Sequence, residues 1–93
     1  MLASDAGHLD LDCGISHARI ADWLNNELAL VQSDEGWVFS SGSHTCLVKV
    51  SPLESRVFGA IALERSRLMV SGDAEALAEF EKLFTLRFIS AGG

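Results

Sequence analysis

The chain has 93 residues, 48% of them hydrophobic, and carries 13 acidic against 7 basic side chains for a net charge of −6 at pH 7. This length fits one small globular domain, residues 1–93, with a single core. The sequence has no apolar run near the ~20 residues of a membrane span and no signal-peptide pattern, and its acidity disfavours contact with nucleic-acid phosphates. We therefore expect a cytoplasmic protein without membrane or nucleic-acid partners.

The first element in chain order is a predicted strand over residues 8–15. Its apolar residues alternate with His8, Asp10 and Asp12, as in a half-buried strand, and we expect residues 1–7 before it to be frayed. A helix follows, capped by the Ser16 hydroxyl and ending near residue 28. Its predicted buried stripe consists of Ile20, Trp23, Leu24 and Leu28.

Two further strands are predicted over residues 37–40 and 45–50. A turn centred on Gly42 and Ser43 joins them and places Phe39 opposite Cys46 and Trp37 opposite Val48. Residues 33–36 form a turn before this pair, and residues 51–54 break the strand pattern after it.

A long hairpin is predicted next, with arms over residues 57–64 and 67–72. A turn centred on Arg65 and Ser66 sets Leu63 opposite Leu68 and pairs Glu64 with Arg67 on the other face. A slip of one residue would turn each apolar set to the opposite face, so this register is well specified.

The last predicted element is an amphipathic helix with Asp73 at its N-cap. Leu77, Phe80, Phe84 and Phe88 recur at spacings of three and four residues and form its apolar stripe. The order of elements is thus β-α-β-β-β-β-α. Two helices with one apolar stripe each need a sheet face to cover, which predicts an α+β fold: a mostly antiparallel sheet of about five strands with both helices on one face.

The predicted sheet is apolar on the face away from the helices as well. A solvated sheet face normally alternates to polar residues, so this pattern indicates a face that binds a second copy of the chain or an apolar ligand. The residues of the predicted interaction surface are Val38, Leu47, Phe58 and Met69 on the sheet and Phe88 and Ile89 near the end of the chain. We expect a non-enzymatic interaction module, a homodimer, in which a charge at Leu47 or Phe58 weakens association more than folding.

Two thiols and two imidazoles, at Cys13, His17, His44 and Cys46, include the ligand types of a tetrahedral zinc site. Their spacing matches no common zinc motif, and both cysteines fall at inward strand positions, where a thiol packs as a small hydrophobe. His8, Asp10 and Asp12 step about 6.6 Å along one strand, which is too wide for chelation without a second strand. We expect no metal, no cofactor and no catalytic residues, and a small metal protein is one alternative.

The chain ends in Ser90-Ala91-Gly92-Gly93. This diglycine tail resembles those of ubiquitin-like sulfur carriers, and the resemblance implies a flexible end that enters an activating enzyme, where its carboxylate becomes a thiocarboxylate. The predicted helix follows one strand rather than a hairpin, which departs from the β-grasp pattern of those carriers. A small carrier protein is therefore a second alternative.

Overall fold

A computed structural model describes residues 6–89, with their side chains except those of residues 6, 55, 56 and 58. Within that range the strands are β1 (Ala6–Cys13), β2 (Val31–Ser33), β3 (Gly36–Ser41), β4 (His44–Phe58) and β5 (Ile61–Asp73). Helices α1 (His17–Asp22) and α2 (Ala74–Phe84) each continue into a π-helical turn, Trp23–Glu27 and Thr85–Ile89. The strands form one antiparallel sheet in the order β1-β5-β4-β3-β2, so the predicted α+β fold and order of elements are confirmed.

Strand β1 begins at Ala6, so it includes two residues of the segment that we expected to be frayed, while residues 1–5 lie outside the described range. None of the helices within residues 6–89 is long and apolar enough to cross a membrane.

The core lies between one face of the sheet and the helices. Trp37, Phe39, Val48, Leu68 and Val70 are buried on that face, and Ile20, Trp23, Leu24, Phe80 and Phe84 are buried on the helical side. The ring of Phe39 lies 5.5 Å from that of Phe80, so β3 and α2 are in direct contact. The predicted apolar stripes of both helices thus cover a single sheet face.

The hairpin of β3 and β4 has the predicted register. Phe39 lies opposite Cys46 and Trp37 opposite Val48, with the turn at Gly42 and Ser43. The predicted cap of α1 is also present, since the Ser16 hydroxyl accepts a hydrogen bond from the Arg19 backbone N–H at 3.2 Å.

The predicted turn at Arg65 and Ser66 is wrong. β5 runs unbroken from Ile61 to Asp73, and its hairpin with β4 turns at Gly59 and Ala60. Gly59 has φ +63°, a conformation that glycine adopts without a Cβ clash, so the turn falls at this residue. Residues 51–54, expected to break the pattern, lie inside β4.

Two predicted cross-strand pairings change as a consequence. Leu68 faces Val50 instead of Leu63, and Leu63 faces residue 56 of β4. Ser66 is fully buried, and its hydroxyl donates to the carbonyl of Ile15, which anchors the loop after β1 to the middle of β5.

Asp73 occupies the N-cap position of α2 without a capping hydrogen bond from its side chain. Its carboxylate instead accepts the backbone N–H of Thr45 at 3.0 Å, which ties the start of α2 to the start of β4.

Candidate interaction site

The interaction surface predicted from the sequence is divided between two sides of the molecule. Val38, Leu47 and Met69 lie on the open face, the side of the sheet away from the helices, because they alternate with residues buried under the helices. Val38 and Leu47 lie opposite each other, while Met69 lies between Asp10 and Lys49. The side chain of Phe58 lies outside the described part of the chain.

The other two residues of that predicted surface belong to the helical side. The Phe88 ring packs edge-on against Trp23 at 5.3 Å and lies 5.1 Å from Phe84. The guanidinium carbon of Arg19 lies 5.6 Å from the centroid of the same ring. Phe88 is therefore part of the helical packing, whereas the neighbouring Ile89 is exposed.

Charged side chains of β1 and β5 form diagonal ion pairs on the open face. Arg67 donates two hydrogen bonds to the Asp10 carboxylate, at 2.9 and 2.6 Å, and Arg65 binds Asp12. The hydrogen bond from Arg67 holds the pKa of Asp10 below its ordinary value. The predicted pairing of Arg67 with Glu64 is replaced by these contacts, and Asp10 and Asp12 serve to join two strands.

The structure places the two thiols and two imidazoles in separate environments. The Cys13 thiol donates to the backbone carbonyl of Ser66, and Cys46 is buried, which raises the pKa of its thiol to about 11 together with the nearby charge of Asp73. His44 Nε2 lies 2.8 Å from a Glu75 carboxylate oxygen, and His17 lies on α1. Within residues 6–89 no three His, Cys, Asp or Glu side chains are arranged to hold a metal ion.

One edge of β5 loses its neighbour partway along the strand. β1 ends at Cys13, opposite Ser66, whereas β5 begins at Ile61. Residues 61–65 therefore have β4 on one side, with Glu64 at a shift in the pairing register, and no described strand on the other. We call this free stretch of edge the β5 notch.

A cavity of about 720 Å³ lies beside the β5 notch. Its walls come from the end of β1, the start of α1 and the free stretch of β5, and they consist of Asp12, Gly14, Ser16, Arg19, Leu63, Glu64 and Arg65. Most of these side chains are polar or charged, which differs from the mainly apolar lining typical of a small-ligand pocket.

Two charges at this cavity stand out because their neighbours do not neutralise them. Arg65 is bound to Asp12, but Arg19 and Glu64 form no ion pair with any side chain that the structure describes. The guanidinium of Arg19 instead stacks on the Phe88 ring. The cavity thus presents one available cation and one available anion.

The β4–β5 hairpin continues past both neighbouring strands as a two-stranded arm, residues 53–65. β3 pairs with β4 only as far as Val48, and β1 leaves β5 at Ser66. On the arm, 68% of Val57, 62% of Ile61 and 49% of Leu63 is exposed. Alternation along β5 puts Ile61 and Leu63 on one face of the arm, and Val57 lies on the other, opposite Ala62.

The arm and the notch were missed by the sequence reasoning because the hairpin turn was misplaced. With the turn at Arg65 and Ser66, Leu63 faces Leu68 and becomes a core residue. The available signal was Gly59, since a glycine followed by one residue between two apolar runs is typical of a short hairpin turn.

Comparison with known proteins adds no assignment: no protein-family model, curated protein or solved structure matches the chain.

Proposed function

We propose that the chain is a non-enzymatic interaction module whose partner is a second copy of itself. The observation that carries this proposal is the arm, on which Val57, Ile61 and Leu63 are all about half exposed or more. A two-stranded hairpin is at best marginally stable alone in water, and burial of exposed apolar side chains against a partner is favourable. Association would bury part of this apolar surface and stabilise the arm.

Three carboxylates and one thiol of the described chain support a structural role rather than catalysis. Asp10, Asp12 and Glu27 are each joined to an arginine of another element. Cys46 is buried, and its raised thiol pKa keeps it protonated at neutral pH, although a nucleophilic cysteine needs a thiolate.

Charge and thiol state support the remaining parts of the proposal. The net charge of −6 disfavours nucleic acid as a partner. Both cysteines are free, which suits a reducing compartment, and the proposal places the protein in the cytoplasm.

The alternatives gain no comparable support. Gly92 and Gly93, on which the carrier hypothesis depends, lie outside the described residues. The surface of Val38, Leu47, Phe58, Met69, Phe88 and Ile89 stays a prediction, and a charge at Leu47 tests its sheet part.

Sedimentation equilibrium tests self-association directly. We expect the mass-average molecular weight to rise from that of one chain towards that of two as the protein concentration increases through the micromolar range. A mass of one chain at every concentration contradicts the proposed function. Purified protein without other components is sufficient, because the proposed partner is the chain itself.

A further inference from the structure

Five stretches of strand edge are free within the described residues: the outer edges of β1 and β2, β3 beyond Val38, β4 beyond Val48, and the β5 notch. A free edge presents unpaired backbone N–H and C=O groups and is a template for another strand. The residues on each edge show whether it is protected against such pairing.

The outer strands offer poor edges. β2 has only three residues, Val31–Ser33, and the free stretch of β3 beyond Val38 has only three as well. β1 alternates through His8, Asp10 and Asp12, and pairing two copies along it brings four carboxylates onto one stretch of sheet, where like charges destabilise each other.

The free edge of β4 carries several features that protect an edge strand. Lys49 adds a charge, Pro52 lacks a backbone N–H, and the pairing register shifts between Leu53 and residue 56. Lysine, proline and bulges are the means by which edge strands avoid a partner.

The β5 notch has fewer obstacles of this kind. Residues 61–65 contain no proline or lysine, and residues 61–63 pair regularly with β4. The register shift lies opposite Glu64, where the extra residue belongs to β4 and not to β5. The notch also carries Ile61 and Leu63, two of the exposed large apolar side chains.

We propose that two copies of the chain join through this notch, their β5 strands antiparallel about a two-fold axis at Leu63. The inference rests on the proposed self-association and names the surface that carries it. A two-fold axis normal to the joined sheet keeps the helices of both copies on one side. Because facing residues of an antiparallel pair point to the same side, one residue must face its own copy across this axis. An axis at Leu63 pairs all of residues 61–65, whereas an axis at Glu64 drives residue 62 against the partner's β1.

In this register the side chains are compatible. Leu63 meets the partner's Leu63, and Ile61 lies opposite the aliphatic stem of the partner's Arg65. Compatible side chains directly opposite each other stabilise an antiparallel pair of strands. On the other face Glu64 lies opposite the partner's Ala62, so no like charges face each other.

The unpaired charges of the cavity are also complementary. Each copy has an Arg19 and a Glu64 without an ion pair among the described side chains, and both line the cavity beside the notch. The small Ala62 leaves space for Glu64 of one copy to approach Arg19 of the other. Two such contacts form in the dimer because the axis repeats each of them.

A charge-swap experiment tests the register. We expect Leu63→Asp alone and Leu63→Lys alone to weaken association at least tenfold, because the axis places two identical charges opposite each other. An equimolar mixture of the two variants should regain association, since aspartate then faces lysine. Sedimentation equilibrium measures all three samples, and circular dichroism checks that the half-exposed site leaves each monomer folded.

Two control variants separate this surface from the others. Val57→Asp places the same charge on the opposite face of the arm, and Leu47→Asp places it on the open face, so both should associate within about threefold of the native chain. If the native chain dimerises and Leu63→Asp dimerises equally well, the notch is not the interface, but the proposed self-association stands. A mixture that stays monomeric overturns the register, and a native chain that is always monomeric overturns both proposals.

Discussion

The indole of Trp23 lies 5.6 Å, centroid to centroid, from the ring of Phe80, and both side chains are buried. Trp23 belongs to the π-helical turn after α1 and Phe80 to α2, so this contact joins the first and last helical segments. Phe80 also touches Phe39 of β3 and Phe84 one turn further along α2. Phe80 is therefore the residue at which both helical segments and the sheet meet.

We expect Phe80→Ala to lower the free energy of unfolding by about 3–5 kcal/mol, because it removes a fully buried ring and leaves a cavity between three elements. Urea denaturation followed by tryptophan fluorescence measures the change. Leu86→Ala is the control, since Leu86 is exposed on the π-helical turn after α2. Equal losses in the two variants would contradict the role of Phe80.

Gly72→Ala should destabilise the fold through the backbone. Gly72 has φ +144°, and a Cβ at this position would lie 2.6 Å from both the Cys46 Cα and the Thr45 carbonyl oxygen. The backbone conformation alone costs about 1–3 kcal/mol for a residue with a side chain, and the clash adds to it. Thermal unfolding should show a clear fall in melting temperature.

Gly14→Ala is the matched control for Gly72→Ala. A Cβ at Gly14 meets no atom within 4 Å, so the same added methyl should leave the melting temperature nearly unchanged. A Gly72→Ala variant as stable as Gly14→Ala would show that β4 and β5 separate locally at little cost.

The particular residues show where sequence reasoning succeeds and where it stops. The register of β3 with β4 could be predicted, because Gly42 marks the turn and Trp37, Phe39, Cys46 and Val48 alternate cleanly about it. The hairpin of β4 and β5 was harder to place, because the alternation of apolar residues between 57 and 70 fits two registers and does not by itself distinguish them. The choice between them depends on two residues. Gly59 adopts the positive φ of the turn, and the buried hydroxyl of Ser66 donates a hydrogen bond to the carbonyl of Ile15, which is distant in sequence.

Pro52 misled the prediction for a related reason. A proline inside a sheet costs a ladder hydrogen bond, so it usually indicates the end of a strand. Beyond Val48, β4 pairs only with β5 within the described residues, and a proline whose nitrogen faces a free edge loses nothing. The candidate site depends on strand lengths of this kind, since the notch exists only because β1 is shorter than β5.

Cys46 should resist alkylation in the folded protein. Burial raises the pKa of its thiol from 9.0 to about 11, so at pH 8 its thiolate fraction is about 100-fold smaller than in the unfolded chain. Reaction with iodoacetamide followed by peptide mass analysis should show Cys46 modified about 100-fold more slowly in buffer than in denaturant. Similar rates in the two conditions would contradict its burial.

The same pKa difference makes stability depend on pH. The pKa of the thiol is higher in the folded state than in the unfolded state. Its contribution to the free energy of unfolding is therefore complete below pH 9 and is lost as the pH rises towards 11. Cys46→Ala should therefore show a shallower fall in stability between pH 9 and 11 than the native chain. Parallel curves in urea titrations would argue against the raised pKa.

Phe88 and Ile89 are adjacent residues with different environments, and they separate the C-terminal part of the predicted interaction surface from the core. Phe88 packs on Trp23 and Phe84, so Phe88→Ala should lower the unfolding free energy by about 1–3 kcal/mol, less than a fully buried phenylalanine because its ring is only half buried. Ile89→Ala removes an exposed side chain and should leave the melting curve unchanged. Neither substitution lies on the arm, so we expect both variants to associate like the native chain in sedimentation equilibrium. If Ile89→Ala abolished association while its melting curve stayed unchanged, the end of the chain rather than the arm would carry the interface.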